Sequence, residues 1–322
     1  MPEPDGTRCS TAALEEIGSN ASGRLVRESV TGPLGSAKST TGPTSRRARR
    51  SAAGGAFVAV KIVVCVKQVP DSWAEKKLDP ADNTLDREAA DAVVNELDEY
   101  AVEEALQIQE RLGGADACTV TVLTVGPEKA VESVRKGLQM GADDGVHVVD
   151  DALHGSDALA TSAVLAAAID RLAPDLVLMG SESTDARMSV VPAMLAERTG
   201  RPQLTFAGKV ELDGATVRIQ RVTDYGYDVV EAQLPALVSV VEKINEPRYP
   251  SFKGIMAAKK KPVETLSLAD LGVEAGAVGL AGSWSAVQDF AARPPRAAGT
   301  VVTDEGDGGT KVADFLSAQK FI

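Results

Sequence analysis

The chain has 322 residues and a formal net charge of −12, with 44% hydrophobic but only 4% aromatic residues. That length fits one large domain or two ordinary ones, and the Ala, Val and Gly content suits tightly packed α/β layers. The acidic balance excludes the usual nucleic-acid binder, which needs a basic face to release counterions, and no apolar run is long enough to span a membrane.

Residues 1–59 differ from the rest. They are rich in Ser, Thr, Gly, Ala and Arg, and carry eight Lys and Arg against five Asp and Glu. No apolar period there is long enough to fold, so a disordered extension is expected. Its acidic residues speak against a targeting peptide, and no apolar stretch of adequate length for an export signal follows "SRRARR". Val60 is expected as the natural initiator, because the foldable pattern begins abruptly at "VKIVVCVKQVPD".

From Val60 onward strands and helices alternate. "KIVVCVK" (61–67) reads as a buried parallel strand. "NELDEYAVEEALQIQERLG" (95–113) reads as an amphipathic helix opened by Asn95 and stopped by Gly113. "ACTVTVLTVG" (117–126) is a second strand, and "GPEKAVESVRKGLQMGAD" a helix with Pro127 in its first turn. "DGVHVVD" is a third strand, in which His147 alternates with valines as a core residue does. A helix over 157–174, a strand over 175–181 and a helix over 189–200 follow. This spacing predicts a doubly wound, mostly parallel Rossmann-like sheet. Turn signals at "DG" and "YG" then predict hairpins, hence an antiparallel extension. Beyond Glu246 regularity falls away. Residues 246–322 are expected to form a loop and an extended C-terminal arm with a short last helix in "KVADFLSAQKF", beside an α/β domain over 60–245.

Chemistry-bearing patterns are sparse. Cys9, Cys65 and Cys118 match neither a zinc site nor a disulfide framework, and Cys65 is expected to be buried and reduced. His147 and His154 are the only histidines, too few for a multi-histidine metal site. GxxxxGK[ST] and GxGxxG are both missing. In an open α/β sheet ligands bind beyond the carboxyl ends of the strands. Three loops should meet there: "CVKQVPD", "TVGPEKA" and "MGSESTDARMSVVPAML". The last runs small hydroxyl residues and an Asp into a helix start, which favours a phosphate; Ser189 is a candidate cap. An ordinary capped loop has the same pattern. No catalytic dyad stands out, so the chain reads as a binder and not an enzyme.

The strings "VCVKQVPD", "AVEEAL", "VGPEKAVESVRKGLQMGAD", "DLVLMGSESTDAR", "LPALVSVVEKINEPRYPSFKGIMAAKKKP" and "DLGV" resemble the β subunit of electron transfer flavoprotein, from Val60 to the C-terminus. The resemblance implies a cytoplasmic bacterial heterodimer in which a larger α subunit holds most of the FAD. The β arm would wrap that subunit, and the β chain would hold a structural AMP. By analogy the AMP contacts would be Cys65, Asn95, Glu96, Leu97, Asp98, Val125, Gly180, Ser181, Glu182, Ser183, Thr184, Asp185, Ala186, Arg187, Met188, Ser189, Val190 and Val191. The "NEPRYPSFKGIM" stretch would be the loop that docks acyl-CoA and related dehydrogenases, using Arg248, Tyr249, Phe252, Ile255 and Met256. Phe252 stands where mammalian relatives place leucine, and Ser72 and Leu97 where they carry aromatics near the flavin, with Trp73 beside the first. Lys259, Lys260 and Lys261 also read as a solvated helix end. Electrons would pass on to a membrane quinone oxidoreductase. Two other readings are an electron-bifurcating subunit with a second FAD and a stand-alone adenine-nucleotide module.

Overall fold

The apolar run that follows Ala59 forms β1 (Val60–Cys65), whose last four residues are all buried. It lacks the polar alternation of a half-exposed strand, because both faces of the sheet are covered. The computed structural model describes residues 59–291, 294, 299 and 301–322. The expected disordered extension therefore lies, apart from Ala59, outside the described residues.

In chain order β1 is followed by β2 (Gln68–Pro70) and β3 (Ala92–Val94), an antiparallel pair apart from the main sheet. Next come α1 (Glu96–Leu112), β4 (Cys118–Val125), α2 (Val131–Met140) and β5 (Asp144–Val148). Then follow α3 (Ala158–Leu172), β6 (Leu176–Gly180) and α4 (Val191–Thr199). Gly113 and Gly200 end α1 and α4 in the left-handed conformation that glycine adopts without a Cβ penalty. Asp157 caps α3 by accepting from the Ala160 amide at 2.9 Å.

The hairpins occur as expected. β7 (Gln203–Asp213), β8 (Thr216–Thr223) and β9 (Gly226–Gln233) pair antiparallel in sequence order. The wholly buried β10 (Ala236–Val240) then returns to lie parallel between β6 and β7. The nine strands run in the order β11-β5-β4-β1-β6-β10-β7-β8-β9, where β11 (Val263–Leu266) pairs parallel with β5. The fold class is thus a mostly parallel, Rossmann-like α/β sheet with an antiparallel extension.

Alternate residues of β1 feed two cores. Ile62 and Val64 pack with Ala101, Val102, Leu106, Val134 and Leu138 of α1 and α2. Val63 and Cys65 pack on the opposite face with Val164, Ile169 and Leu195 of α3 and α4. Each fully buried Leu or Ile side chain contributes roughly 2 kcal/mol. This division puts the helix after β1 and the helix after β6 on opposite faces, although the two strands are neighbours.

The stretch after Glu246 is more regular than its sequence suggests. α5 (Phe252–Ala258) packs on α2, β11 extends the sheet, and α6 (Gly279–Gly282) leads to Ser283, whose hydroxyl accepts from the Asp157 amide at 2.8 Å. Their signals are faint because each element is short and borrows its burial from a distant partner. The chain divides into two units, the first reaching Ala286 and the second comprising Val287–Ile322. The second holds α7 (Gly308–Ala318), with Val312 and Phe315 exposed.

Candidate functional site

β1 lies between β4 and β6, and the chain leaves β1 for one face of the sheet and β6 for the other. Such a divergence opens a crevice at the carboxyl edge. Here polar side chains from the start of α1 line it. Asp98, buried, accepts from the Lys67 amide at 2.8 Å and from the Gly180 amide at 3.1 Å, tying the end of β1 to the end of β6. Burial pushes its carboxyl up to about 7, against the pull of those amides and of Asn95 and Lys67. A Cβ at position 180 would fall 2.6 Å from Asp98 Oδ1, so only glycine admits this approach.

Asn95 occupies the position before α1, but its side chain does not cap that helix. Its Nδ2 donates to the Glu182 carbonyl at 2.9 Å, and its Oδ1 accepts from the Thr184 amide at 3.0 Å. The expected local capping role thus gives way to a cross-link between α1 and the loop after β6. Ser189 differs from expectation too. α4 starts from Val190 without any side-chain cap, while the Ser189 hydroxyl donates to Glu182 Oε2 at 2.9 Å. Glu182 also lies 3.5 Å from Arg187. Arg187 and Ser189 both have positive φ, 48° and 55°, so the loop turns sharply around the exposed Met188 before α4 begins.

Farther along the loop, Asp185 is an ionic hub. Its Oδ1 is 2.8 Å from Lys67 Nζ and its Oδ2 is 3.6 Å from Arg87. Burial alone would raise its carboxyl, but the Lys67 charge and hydrogen bond, the Ser183 hydroxyl and Arg87 together hold it below its usual range. Lys67 also donates to Ser183 Oγ at 3.2 Å, and Lys76 to the Thr184 carbonyl at 3.0 Å. Lys67, Lys76 and Arg87 escaped the sequence reading. Lys67 lay inside the "CVKQVPD" loop without being singled out, and the other two sit in an irregular stretch.

The remaining candidates fall on the same edge. Cys65 ends β1 and Val125 ends β4, with Gly180 and the buried Ser181 at the end of β6. The Cys65 thiol is raised to about 12, first by burial and then by the Asp98 charge, and is therefore a packing group without nucleophilic character. Leu97 is half-buried against Gly180, Glu96 and Ala186 are exposed, and Val190 and Val191 open α4. Sheet order thus gathers all three predicted loops, and the start of α4 has no side-chain cap, although Pro192 in its first turn offers no N–H.

The docking candidates lie apart, on the α1–α2 face. Tyr249 is 93% exposed, Phe252 80% and Met256 47%. Phe252 and Met256 are four residues apart on α5 and share one side of it. Ile255 is half-buried. Arg248 is turned back toward α1: its Nε and Nη2 donate to the two oxygens of Glu103 at 2.7 and 2.9 Å, and its Nη1 to Glu110 at 2.6 Å. Those carboxylates raise its pKa, while burial raises and Arg248 more than offsets the shift at Glu103. Lys261 is likewise engaged, donating to the Gly141 carbonyl at 3.1 Å, whereas Lys259 and Lys260 are exposed. Among the described residues, no helix is long and apolar enough to cross a membrane.

Comparison with known proteins agrees with this architecture. The family model described as "Electron transfer flavoprotein domain" matches residues 82–271, more than half of the chain. A Mycobacterium tuberculosis protein named electron transfer flavoprotein subunit beta is 54% identical over 264 residues, covering 81% of this chain and 99% of the relative. A Megasphaera elsdenii protein of the same name is 37% identical over 275 residues, 82% of this chain and 100% of the relative. An Acetobacterium woodii protein named caffeyl-CoA reductase-Etf complex subunit CarD is 36% identical over 245 residues, 76% of this chain and 92% of the relative.

Proposed function

The chain belongs to the electron transfer flavoprotein family, with relatives named subunit beta, and from that premise we propose that it is the β subunit of a heterodimeric electron carrier. Its α partner would hold most of the FAD, which supplies the one-electron chemistry when bound. The chain's own residues would wall one side of that flavin, hold an adenylate and dock the electron donor, without a catalytic step of their own. Donors would be acyl-CoA and related dehydrogenases, and the acceptor a membrane quinone oxidoreductase. Residues 60–245 would serve as the nucleotide-binding body, and 246–322 as docking loop and arm.

The residues at the β1–β6 crevice fit an adenylate. A phosphate dianion at the uncapped start of α4 would meet backbone amides and the positive helix pole, with Lys67 and Arg87 close to the loop. Asn95 would keep Glu182–Thr184 in place for it.

The observation that carries the carrier reading is the apolar row of Tyr249, Phe252 and Met256. Phe252 and Met256 stand outward on α5, whose Ala258 is buried, and Tyr249 stands exposed in the segment before it. Exposed aromatic and Met side chains at one spot contribute nothing to the lone chain and suit a partner's pocket. The test is reduction of the αβ complex by a purified acyl-CoA dehydrogenase. Phe252→Ala should slow it while FAD content stays full; parallel loss of FAD would refute the assignment.

The relative from a caffeyl-CoA reductase complex supports a second reading, a subunit that holds a second FAD where AMP is expected. Denaturing the purified complex and identifying its released nucleotides separates the two. One FAD and one AMP support the carrier, two FAD the alternative, and no adenine compound overturns both.

A further inference from the structure

α5 has only seven residues, too few to be held helical by its own hydrogen bonds. Its outward side chains are exposed, so their burial does not fix it either. What holds it lies behind. Ala258 is buried, and Gly254 approaches α2 so closely that a Cβ there would fall 2.6 Å from the Gln139 carbonyl oxygen. Arg135, on α2, donates through Nη1 to the carbonyls of Ala258 and Lys261, both at 3.1 Å. The Ala258 carbonyl closes α5 and the Lys261 carbonyl lies three residues beyond it, at the pole where the helix dipole favours a cation. Lys261 does the same in return, donating to the carbonyls of Gly141 and Ala142 just beyond α2. Each helix end is thus capped by a cation from the other segment.

We propose that Arg135 is a positioning residue for partner docking. It does not face the partner, but it holds α5 in the pose from which Phe252 and Met256 enter the dehydrogenase. The idea rests on the docking reading above. A helix ordered beforehand spares the complex the entropy of ordering it on contact. Arg135 is suited to the task because its Nη1 alone carries two N–H groups, one for each carbonyl, on a rigid planar head.

The test measures reduction of the αβ complex by a purified acyl-CoA dehydrogenase at varied carrier concentration. The variants are Arg135→Ala, Arg135→Lys, Phe252→Ala and the double variant Arg135→Ala with Phe252→Ala. Losing charge-assisted bonds at Arg135 should raise KM for the carrier about ten-fold, with kcat and FAD content unchanged. Arg135→Lys should recover part of the loss, since an ammonium still reaches a carbonyl. Amide exchange across residues 252–258 should quicken in Arg135→Ala. In the Phe252→Ala background the same change should add about two-fold or less, because both act on one contact. Independent multiplication of the two effects, or loss of FAD alongside KM, would overturn the proposal. An unchanged KM in Arg135→Ala beside a raised KM in Phe252→Ala removes this inference alone. An unchanged KM in Phe252→Ala removes the docking reading as well. If Arg135→Ala yields no complex, Arg135→Gln carries the same comparison.

Discussion

At the β1–β6 crevice polar side chains turn inward and find protein partners, whereas on α5 apolar side chains turn outward into solvent. Asn95 and Asp98 are buried and fully used in joining two strands and a loop. Phe252 and Met256 stand exposed on a short helix that gains nothing from their burial, and Tyr249 is exposed in the segment before it. Buried polar groups without partners are expensive, so the crevice must be assembled to close tolerance. Exposed apolar groups cost little in the lone chain, so the outward side chains of α5 need no protein partner to be kept. One region suits a small polar ligand held by main-chain amides, the other a protein surface.

The contrast implies that damage at the crevice shows as lost stability, and damage at α5 as lost partnership. Outside both regions, the ion pair between Arg248 and Glu103 of α1 gives the largest stability effect. Arg248→Ala strands the buried Glu103 carboxylate and should cost about 3 kcal/mol, the exposed third of the guanidinium tempering the loss; denaturant melts of the αβ complex would register it. Asn95→Ala leaves the Thr184 amide and Glu182 carbonyl without their partner. It should cost about 2 to 3 kcal/mol in the same melts and, on the proposed adenylate reading, release the nucleotide on gel filtration. Phe252→Ala should leave the melt unchanged but raise KM for the carrier by about 30-fold, as an interface anchor does. A fall in thermal stability with Phe252→Ala would erase the contrast.

Asp98 sharpens the comparison through pH. Its folded value, about 7, lies above the usual carboxyl value of 3.8. Its contribution is therefore fully present below about pH 4 and is lost as pH rises through about 7. Between pH 5 and 8 the wild-type chain should lose stability relative to Asp98→Asn, an effect read from paired melts. Asp185 runs the other way. Its folded value is lowered, so its contribution is present above the unfolded carboxyl value and fades as pH falls through the lowered one. A stability difference between wild type and Asp98→Asn that stays flat over pH 5 to 8 would show that the amides of Lys67 and Gly180 outweigh burial.

Much of the frame was legible in the sequence because each element signalled itself. Gly113 and Gly200 stop α1 and α4, and the unbroken apolar run of β1 announces a strand covered on both faces. The crevice was legible only as a meeting of three loops. Neither Asn95 nor Ser189 could be assigned from its neighbours, since a capping residue and a long-range cross-linker look alike in one dimension. Arg248 shows the same limit at the docking loop: its partners Glu103 and Glu110 are about 140 positions away. β11 was hidden because "VETL" has no periodic signal of its own and becomes a strand only beside β5.

The placement of β10 and β11 bears on how the chain is made. The middle of the sheet stays open between β6 and β7 until residue 240 has been synthesised, and the flank of β5 stays bare until residue 266. A nascent chain halted between those points would expose a row of unpaired amides and carbonyls next to hydrophobic strands, a template for unwanted pairing. The last strands to emerge from the ribosome are therefore the ones that make the earlier ones safe.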